Sequence, residues 1–149
     1  MTKQAKIERL HGANLSKLTT FLKEELREFI YRKERYDTDF CVAVFIAKVD
    51  ISELREHIRF SDIFFEIEQG VVVIAFDATD LERGIKATAK LAARLEAKYF
   101  NEHFYIAIVS SKEHPDANGQ ASHLLNILTF ELEHDIYNTI LSDTDSLAI

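Results

Sequence analysis

Residues 40–49 restrict the fold more than any other stretch of this chain. Their sequence, FCVAVFIAKV, is almost wholly apolar and rich in β-branched and aromatic side chains. A strand with one face in water alternates between apolar and polar residues, whereas a run without alternation is typical of a strand covered on both faces. We therefore predict a central β-strand with other elements packed against both of its sides.

The segments that follow this strand predict a β-α-β-β-α-β order. The hydrophobic pattern and its breaks indicate a helical turn at 52–58, strands at 63–67 and 71–76, a helix that begins after 79, and a strand at 104–109. Gly70 is expected at the turn of the hairpin between the second and third strands. Thr79 and Glu82 have capping-box spacing, in which each side chain satisfies an amide of the first helical turn.

Two further helices are predicted outside this core. Apolar residues at helical spacing indicate a helix over 14–35, and another over 120–141 after a loop with the only proline. The complete order is that of a ferredoxin-like sandwich of the α+β class with additional N- and C-terminal helices, its core at about 39–110. The chain of 149 residues has no linker or internal repeat, so we expect one domain over 1–149.

The glycines exclude the common phosphate-binding loops. The chain has four of them, Gly12, Gly70, Gly84 and Gly119, and no two are close together. A dinucleotide-binding fingerprint needs a tight group of glycines, and a Walker loop needs a pair. Neither loop can therefore exist in this chain.

The charge distribution argues against a nucleic-acid partner. The net charge is −7, and residues 1–36 have nine basic and five acidic side chains while the remainder has nine and 20. An acidic body repels nucleic acid, and glutamates interrupt the basic N-terminal segment. No apolar stretch approaches the roughly 20 residues of a membrane span, and the N-terminus lacks a signal-peptide pattern. With Cys41 as the only cysteine, these features predict a cytoplasmic protein without membrane contact.

No complete catalytic or metal-binding motif is visible, so we predict no catalytic residue, no metal ligand and no cofactor. The histidines lack zinc-binding spacing; they are His11, His57, His103, His114, His123 and His134. Ser110 and Ser111 follow the last strand without the glycines of a nucleophile elbow. Asp50 ends the first strand, but Lys48 would oppose a divalent cation beside it. An enzyme of unrelated chemistry, built from histidines and carboxylates on separate elements, stays open as an alternative.

One polar cluster, Arg59-Phe60-Ser61-Asp62, precedes the second strand. A guanidinium binds a phosphate or a guanine edge through paired hydrogen bonds, and a nearby carboxylate can accept from the amino and imino groups of guanine. Arg59 and Asp62 are therefore the candidate ligand-binding residues. The alternative interpretation is a surface ion pair in which Asp62 caps local backbone amides.

Several stretches of the chain together resemble a known domain family. LSKLTTFLKEELREF and FCVAVFIAKVD are similar to its first helix and strand, and HFYIAIVSS and HLLNILTFELEH to its last strand and helix. RFSDIFFEIEQGVVVIAF resembles its segment of R-x-x-D motif, strand, signature turn and strand. This family is the GGDEF domains, the diguanylate cyclases, and the resemblance covers residues 10–136. It implies the same α+β fold and a role in bacterial signalling.

The resemblance places the signature turn on residues that differ from the family pattern. When the R-x-x-D motifs are aligned, the GGDEF signature falls on 68–72, EQGVV. Glu68 and Gln69 then replace the glycines at which guanine nucleotide approaches the turn, and Val71 replaces an acidic residue that helps to hold metal. The resemblance therefore implies that this turn has lost its role in catalysis.

The end of the first strand differs in the same way. Lys48 stands where the family has a metal-binding aspartate, while Asp50 matches the other acidic position. The first functional hypothesis is accordingly a catalytically inactive GGDEF-like domain that acts through a protein partner or a homodimer. The second is a receptor for cyclic di-GMP that uses Arg59 and Asp62, because some degenerate relatives keep that motif.

Overall fold

The computed structural model describes residues 13–142, so both ends of the expected domain, 1–12 and 143–149, lie outside the described residues. The elements in chain order are α1 (Ala13–Glu25), α2 (Arg27–Tyr36), β1 (Cys41–Ile46), a 3-10 helix (Ser52–His57), β2 (Ile63–Glu68), β3 (Val71–Phe76), α3 (Leu81–Lys98), β4 (Tyr105–Ser110), α4 (Ala117–Glu133) and β5 (Ile140–Ser142). The predicted β-α-β-β-α-β order is confirmed, with the 3-10 helix in the first crossover.

The five strands form one sheet in the order β2-β3-β1-β4-β5. β1 pairs antiparallel with both β3 and β4, and β2 pairs antiparallel with β3. The first four strands therefore have the ferredoxin-like arrangement that the order of elements predicts. β5 adds a parallel strand beside β4.

The central position of β1 explains its apolar sequence. Val42 and Val44 face a core formed with α1, α2 and α4, whereas Cys41, Ala43 and Phe45 face a second core formed with α3 and the 3-10 helix. All five side chains are buried. The prediction of a strand covered on both faces is confirmed.

The N-terminal helix predicted over 14–35 is present as two helices that meet at Leu26. This residue leaves the helical range, with φ −103° and ψ 18°. Its amide still donates to the carbonyl of Leu22, and its carbonyl still accepts from Ile30. Leu26 is fully buried in the first core, and the helical hydrogen bonds on both sides of it are kept.

The C-terminal helix predicted over 120–141 is wrong beyond Glu133, where α4 ends. Asp135 and Asn138 both have positive φ, 52° and 55°, which a continuing helix cannot accommodate. Asn138 then fixes the chain beside β4: its amide donates to the carbonyl of Phe104 at 2.7 Å, and its side-chain oxygen accepts from the Phe104 amide at 2.8 Å. These bonds turn the chain back so that Ile140–Ser142 forms β5.

Candidate functional site

The hairpin between β2 and β3 turns at Gly70, as the sequence predicts. Gly70 has φ +81°, and its carbonyl accepts a hydrogen bond of 2.8 Å from the amide of Ala47. A Cβ atom at this position would overlap the carbonyl oxygen of Ala47. The turn therefore lies directly against the chain that leaves β1, and the Gly70 carbonyl is already bonded to the Ala47 amide.

The residues after β1 do not gather carboxylates around this turn. Lys48 and Asp50 are both exposed. The Asp50 carboxylate accepts from the backbone amide of Ser52 at 2.9 Å, and the hydrogen bonds with Ser52 lower its pKa. Asp50 thus binds the first amide of the 3-10 helix from the residue before its N-cap, Ile51. Within residues 13–142, no group of three histidine, cysteine, aspartate or glutamate side chains is placed to hold one metal ion.

Arg59 and Asp62 form a closely bonded pair before β2. The guanidinium donates from Nη2 to Oδ1 of Asp62 at 2.9 Å and from Nε to Oδ2 at 3.2 Å. Nη2 also lies 2.6 Å from the carbonyl oxygen of Asp77 and 2.9 Å from the hydroxyl of Thr79. The pair therefore ties the loop before β2 to the loop that leads from β3 into α3.

The carboxylate of Asp62 is fully used by this network. In addition to the two bonds from the Arg59 side chain, it accepts from the Arg59 amide and from the Asp77 amide, each at 2.9 Å. A carboxylate has about four acceptor positions. The Asp62 side chain is only 2% exposed, whereas that of Arg59 is 58% exposed. The geometry is that of an ion pair with backbone capping, and Asp62 has no acceptor position left for a guanine base.

The start of α3 differs by one residue from the predicted capping box. Asp80 caps the helix, and its side chain accepts from the amide of Arg83 at 2.9 Å. The Thr79 hydroxyl instead donates to the carbonyl of Asp77 at 2.6 Å and accepts from Arg59. Because Arg59 holds Thr79 in this position, the helix begins one residue later than the sequence pattern indicates.

A cationic cleft opens beside Arg59. Its volume is about 440 Å³, and it is lined by His57, Ile58, Arg59, Asp62, Phe76, Ala78, Thr79, Arg83, Lys86, Ala87, Lys90, Leu91 and Arg94. The α3 cations, Arg83, Lys86, Lys90 and Arg94, are separated by three or four residues and so share one face of the helix. These four cations belong to no binding motif, although their helical spacing is visible in the sequence.

The residues that first suggest catalysis have structural contacts in the described part of the chain. The Ser111 hydroxyl accepts from the amide of Phe40, and the Ser110 hydroxyl accepts from Lys112. Cys41 is fully buried, and burial raises the pKa of its thiol to about 12, which disfavours the reactive thiolate form. His114 stacks on His123 with ring centroids 3.7 Å apart. His11 lies outside the described residues.

The chain shares its fold with solved structures but matches no sequence family. No protein-family profile and no curated protein matches the chain. Among solved structures, a microbial GGDEF domain studied with bis-(3′,5′)-cyclic di-GMP is 10% identical, with a TM-score of 0.62 over 84% of this chain and 92% of its own. The GGDEF domain of YfiN (TpbB) from Pseudomonas aeruginosa is 12% identical, with a TM-score of 0.58 over 83% of this chain and 87% of its own.

A third structure is the diguanylate cyclase SiaD of Pseudomonas aeruginosa in complex with its activator SiaC. It is 10% identical, with a TM-score of 0.62 over 83% of this chain, but the matched region is 57% of SiaD.

In residues 13–142, none of the helices is long and apolar enough to cross a membrane. The five-stranded sheet and its helices thus match the GGDEF fold over most of the chain.

Proposed function

We propose that this protein is a GGDEF-like signalling domain that does not form cyclic di-GMP and that acts through contact with a protein partner. The observation that carries the proposal is the β2–β3 turn. Glu68 and Gln69 stand where the resemblance expects glycines, and Gly70 is packed against the carbonyl of Ala47. A nucleotide that approached the backbone of this turn would meet two long side chains.

The charges near the turn support the same proposal. Phosphoryl chemistry on a nucleoside triphosphate depends on divalent cations that neutralise the phosphate oxygens. The exposed ammonium of Lys48 and the apolar side chain of Val71 replace two of the groups that the resemblance assigns to metal binding. Asp50 is the acidic residue that is kept, and its carboxylate is bonded to the Ser52 amide at the start of the 3-10 helix.

Purified protein incubated with GTP and Mg²⁺ or Mn²⁺ is expected to yield no cyclic di-GMP by liquid chromatography. The physical reason is that one carboxylate cannot hold the metal ions against a neighbouring ammonium group. The control for a contaminating cyclase is Asp50→Asn. Product that forms with the unmodified protein and disappears with this variant would contradict the proposal, whereas product that is unchanged comes from a contaminant.

A receptor for cyclic di-GMP is the second candidate function. It is favoured by the position of Arg59, whose exposed guanidinium lines the cationic cleft. Within residues 13–142 its Nη1 atom has no hydrogen-bond partner, so it retains donors for a phosphate or a guanine edge. Guanine recognition by Asp62 would in addition require the loss of one of its four bonds.

Isothermal titration with cyclic di-GMP separates the two candidates. If the protein is a receptor, we expect micromolar binding that Arg59→Ala abolishes and that Arg35→Ala, a matched exposed arginine on α2, leaves unchanged. Arg59→Lys should also weaken binding, because an ammonium group cannot reproduce the paired bonds of a guanidinium. No heat with the folded, unmodified protein would exclude the receptor function and leave protein contact as the proposal.

A further inference from the structure

The cationic face of α3 forms a regular row along the cleft. Arg83, Lys86, Lys90 and Arg94 lie on one side of the helix and all line the cleft. With a rise of about 1.5 Å per residue, the row extends for about 16 Å, and the last three cations are spaced about 6 Å apart along the axis. His57 and Ile58, at the end of the 3-10 helix, also line the cleft.

The charges of this row are not neutralised by the rest of the described chain. Arg83, Lys90 and Arg94 have no ion pair and no side-chain hydrogen bond to another residue in 13–142. Lys86 lies 3.6 Å from Glu82, but both side chains are largely exposed, and such a pair contributes little. On a chain with a net charge of −7, this cleft is a local concentration of positive potential.

The polar groups of the cleft favour a ligand bound by its charge over a nucleotide bound by its base. Asp62, the only carboxylate among the lining residues of 13–142, is saturated, and the Thr79 hydroxyl is bonded to Asp77 and Arg59. The Arg83 amide, at the start of α3, is taken by the Asp80 cap. A compact phosphate group would touch only one or two cations of a row about 16 Å long.

The spacing matches an extended peptide. In a β-strand, side chains on the same face repeat about every 6.7 Å, close to the axial spacing of about 6 Å between successive α3 cations. Acidic side chains at alternate positions would therefore face Lys86, Lys90 and Arg94 in turn. The side chains between them would point away from α3, and Ile58 offers a half-buried apolar surface elsewhere in the lining.

We propose that the α3 cleft binds an extended acidic segment of a partner protein, with carboxylates at alternate positions along the cationic row. The inference rests on the proposed function in that the domain acts through protein contact. In this proposal Arg59 and Asp62 have a structural role: they join the loop before β2 to the loop that leads into α3. The affinity for the peptide comes from the α3 cations. The electrostatic contribution makes the binding dependent on salt.

Fluorescence anisotropy with a labelled hexapeptide, Asp-Val-Asp-Val-Asp-Ser, tests this proposal. At low salt we expect micromolar binding to the unmodified protein. The double variant Lys90→Gln with Arg94→Gln should weaken it by about tenfold or more, because two charge-assisted contacts are lost. The matched control, Lys17→Gln with Lys23→Gln, removes the same charge from α1 in the other helical layer and should change the affinity by less than about twofold.

Three outcomes would overturn the proposal. If both double variants weaken binding equally, the peptide is attracted only by the net charge of the protein. If the blocked peptide Asp-Asp-Asp-Val-Val-Ser binds as tightly as the alternating one, carboxylates at alternate positions are not what the cleft recognises. Displacement of the peptide by tripolyphosphate or cyclic di-GMP at concentrations below the peptide Kd would make the cleft a phosphate site. Thermal melts establish that each variant is folded. A failure here combined with the absence of cyclase activity would reject this partner chemistry and leave the non-cyclase assignment intact.

Discussion

Replacement of Glu131 by glutamine is expected to stabilise the protein by roughly 3 kcal/mol at pH 7 and to have little effect near pH 4.5. Glu131 lies on α4 and is completely buried. Among residues 13–142, neither of its carboxyl oxygens has a hydrogen-bond partner of good geometry, and burial raises its pKa from 4.5 to about 9. The nearby backbone of Ile106 opposes this shift only in part.

The direction of the effect follows from proton binding. Between about pH 4.5 and pH 9 the folded protein keeps the Glu131 proton while the unfolded chain has lost it, so the free energy of unfolding falls as the pH rises. Each pH unit in this window costs about 1.4 kcal/mol. Burial also raises the pKa of Tyr105, but this phenol keeps its proton in both the folded and the unfolded state across this window, so it does not contribute to the slope.

Urea denaturation of both proteins from pH 4.5 to pH 9 measures this difference. The unmodified protein should lose stability along the series, and Glu131→Gln should remove most of the slope. The matched control is Glu133→Gln, which changes an exposed glutamate on the same helix and should leave the slope in place. Parallel curves for the unmodified protein and Glu131→Gln would show that Glu131 is ionised in the folded state.

Gly70→Ala is expected to destabilise the protein by about 3 kcal/mol or more. An L-residue with φ near +81° is itself unfavourable by about 1–2 kcal/mol. The added methyl group would also overlap the carbonyl oxygen of Ala47, which is backbone and cannot rotate away. Relief of this overlap requires the hairpin turn to move off β1 and to break the hydrogen bond between the Ala47 amide and the Gly70 carbonyl.

Urea denaturation at constant pH measures the loss, and Gly119→Ala is the control. Gly119 lies in the first turn of α4 without a positive φ, and its new Cβ would come within 3.2 Å only of the Asp116 side chain. We expect a change of less than about 1 kcal/mol there. Similar midpoints for Gly70→Ala and the unmodified protein would mean that the turn is free to move away from β1.

The sequence predicts the strands better than the helix ends, because the burial of a strand depends on the types of its own side chains. The run at 40–49 predicts a central strand, and β1 occupies Cys41–Ile46 within it. The limits of α3 and α4 depend instead on bonds between distant residues. Arg59 holds Thr79 and moves the α3 cap to Asp80, and Asn138 binds Phe104 and ends the helical path. No local pattern contains such partners.

Packing on α3 shows a second limit of the sequence pattern. Ala89 is at helical spacing from Ile85 and Ala92, yet it is exposed, while Gly84 and Thr88 are buried. Gly84 is buried because the helix lies so close to β1 that a Cβ there would sit 2.8 Å from the Cys41 sulfur. Apolar patterns detect large side chains at an interface, whereas close approach selects small ones. The candidate pair Arg59 and Asp62 does come together, but neither its saturation nor the α3 row follows from the motif.

The β5 strand has a consequence for the solubility of the chain. β4 is buried along its whole length, and without β5 its outer edge would present six residues of unpaired backbone. An open edge of that kind recruits strands from other molecules. Three residues of β5, held in place through Asn138, cover half of this edge. A variant that loses the Asn138 contacts should therefore self-associate at high concentration while it is still folded.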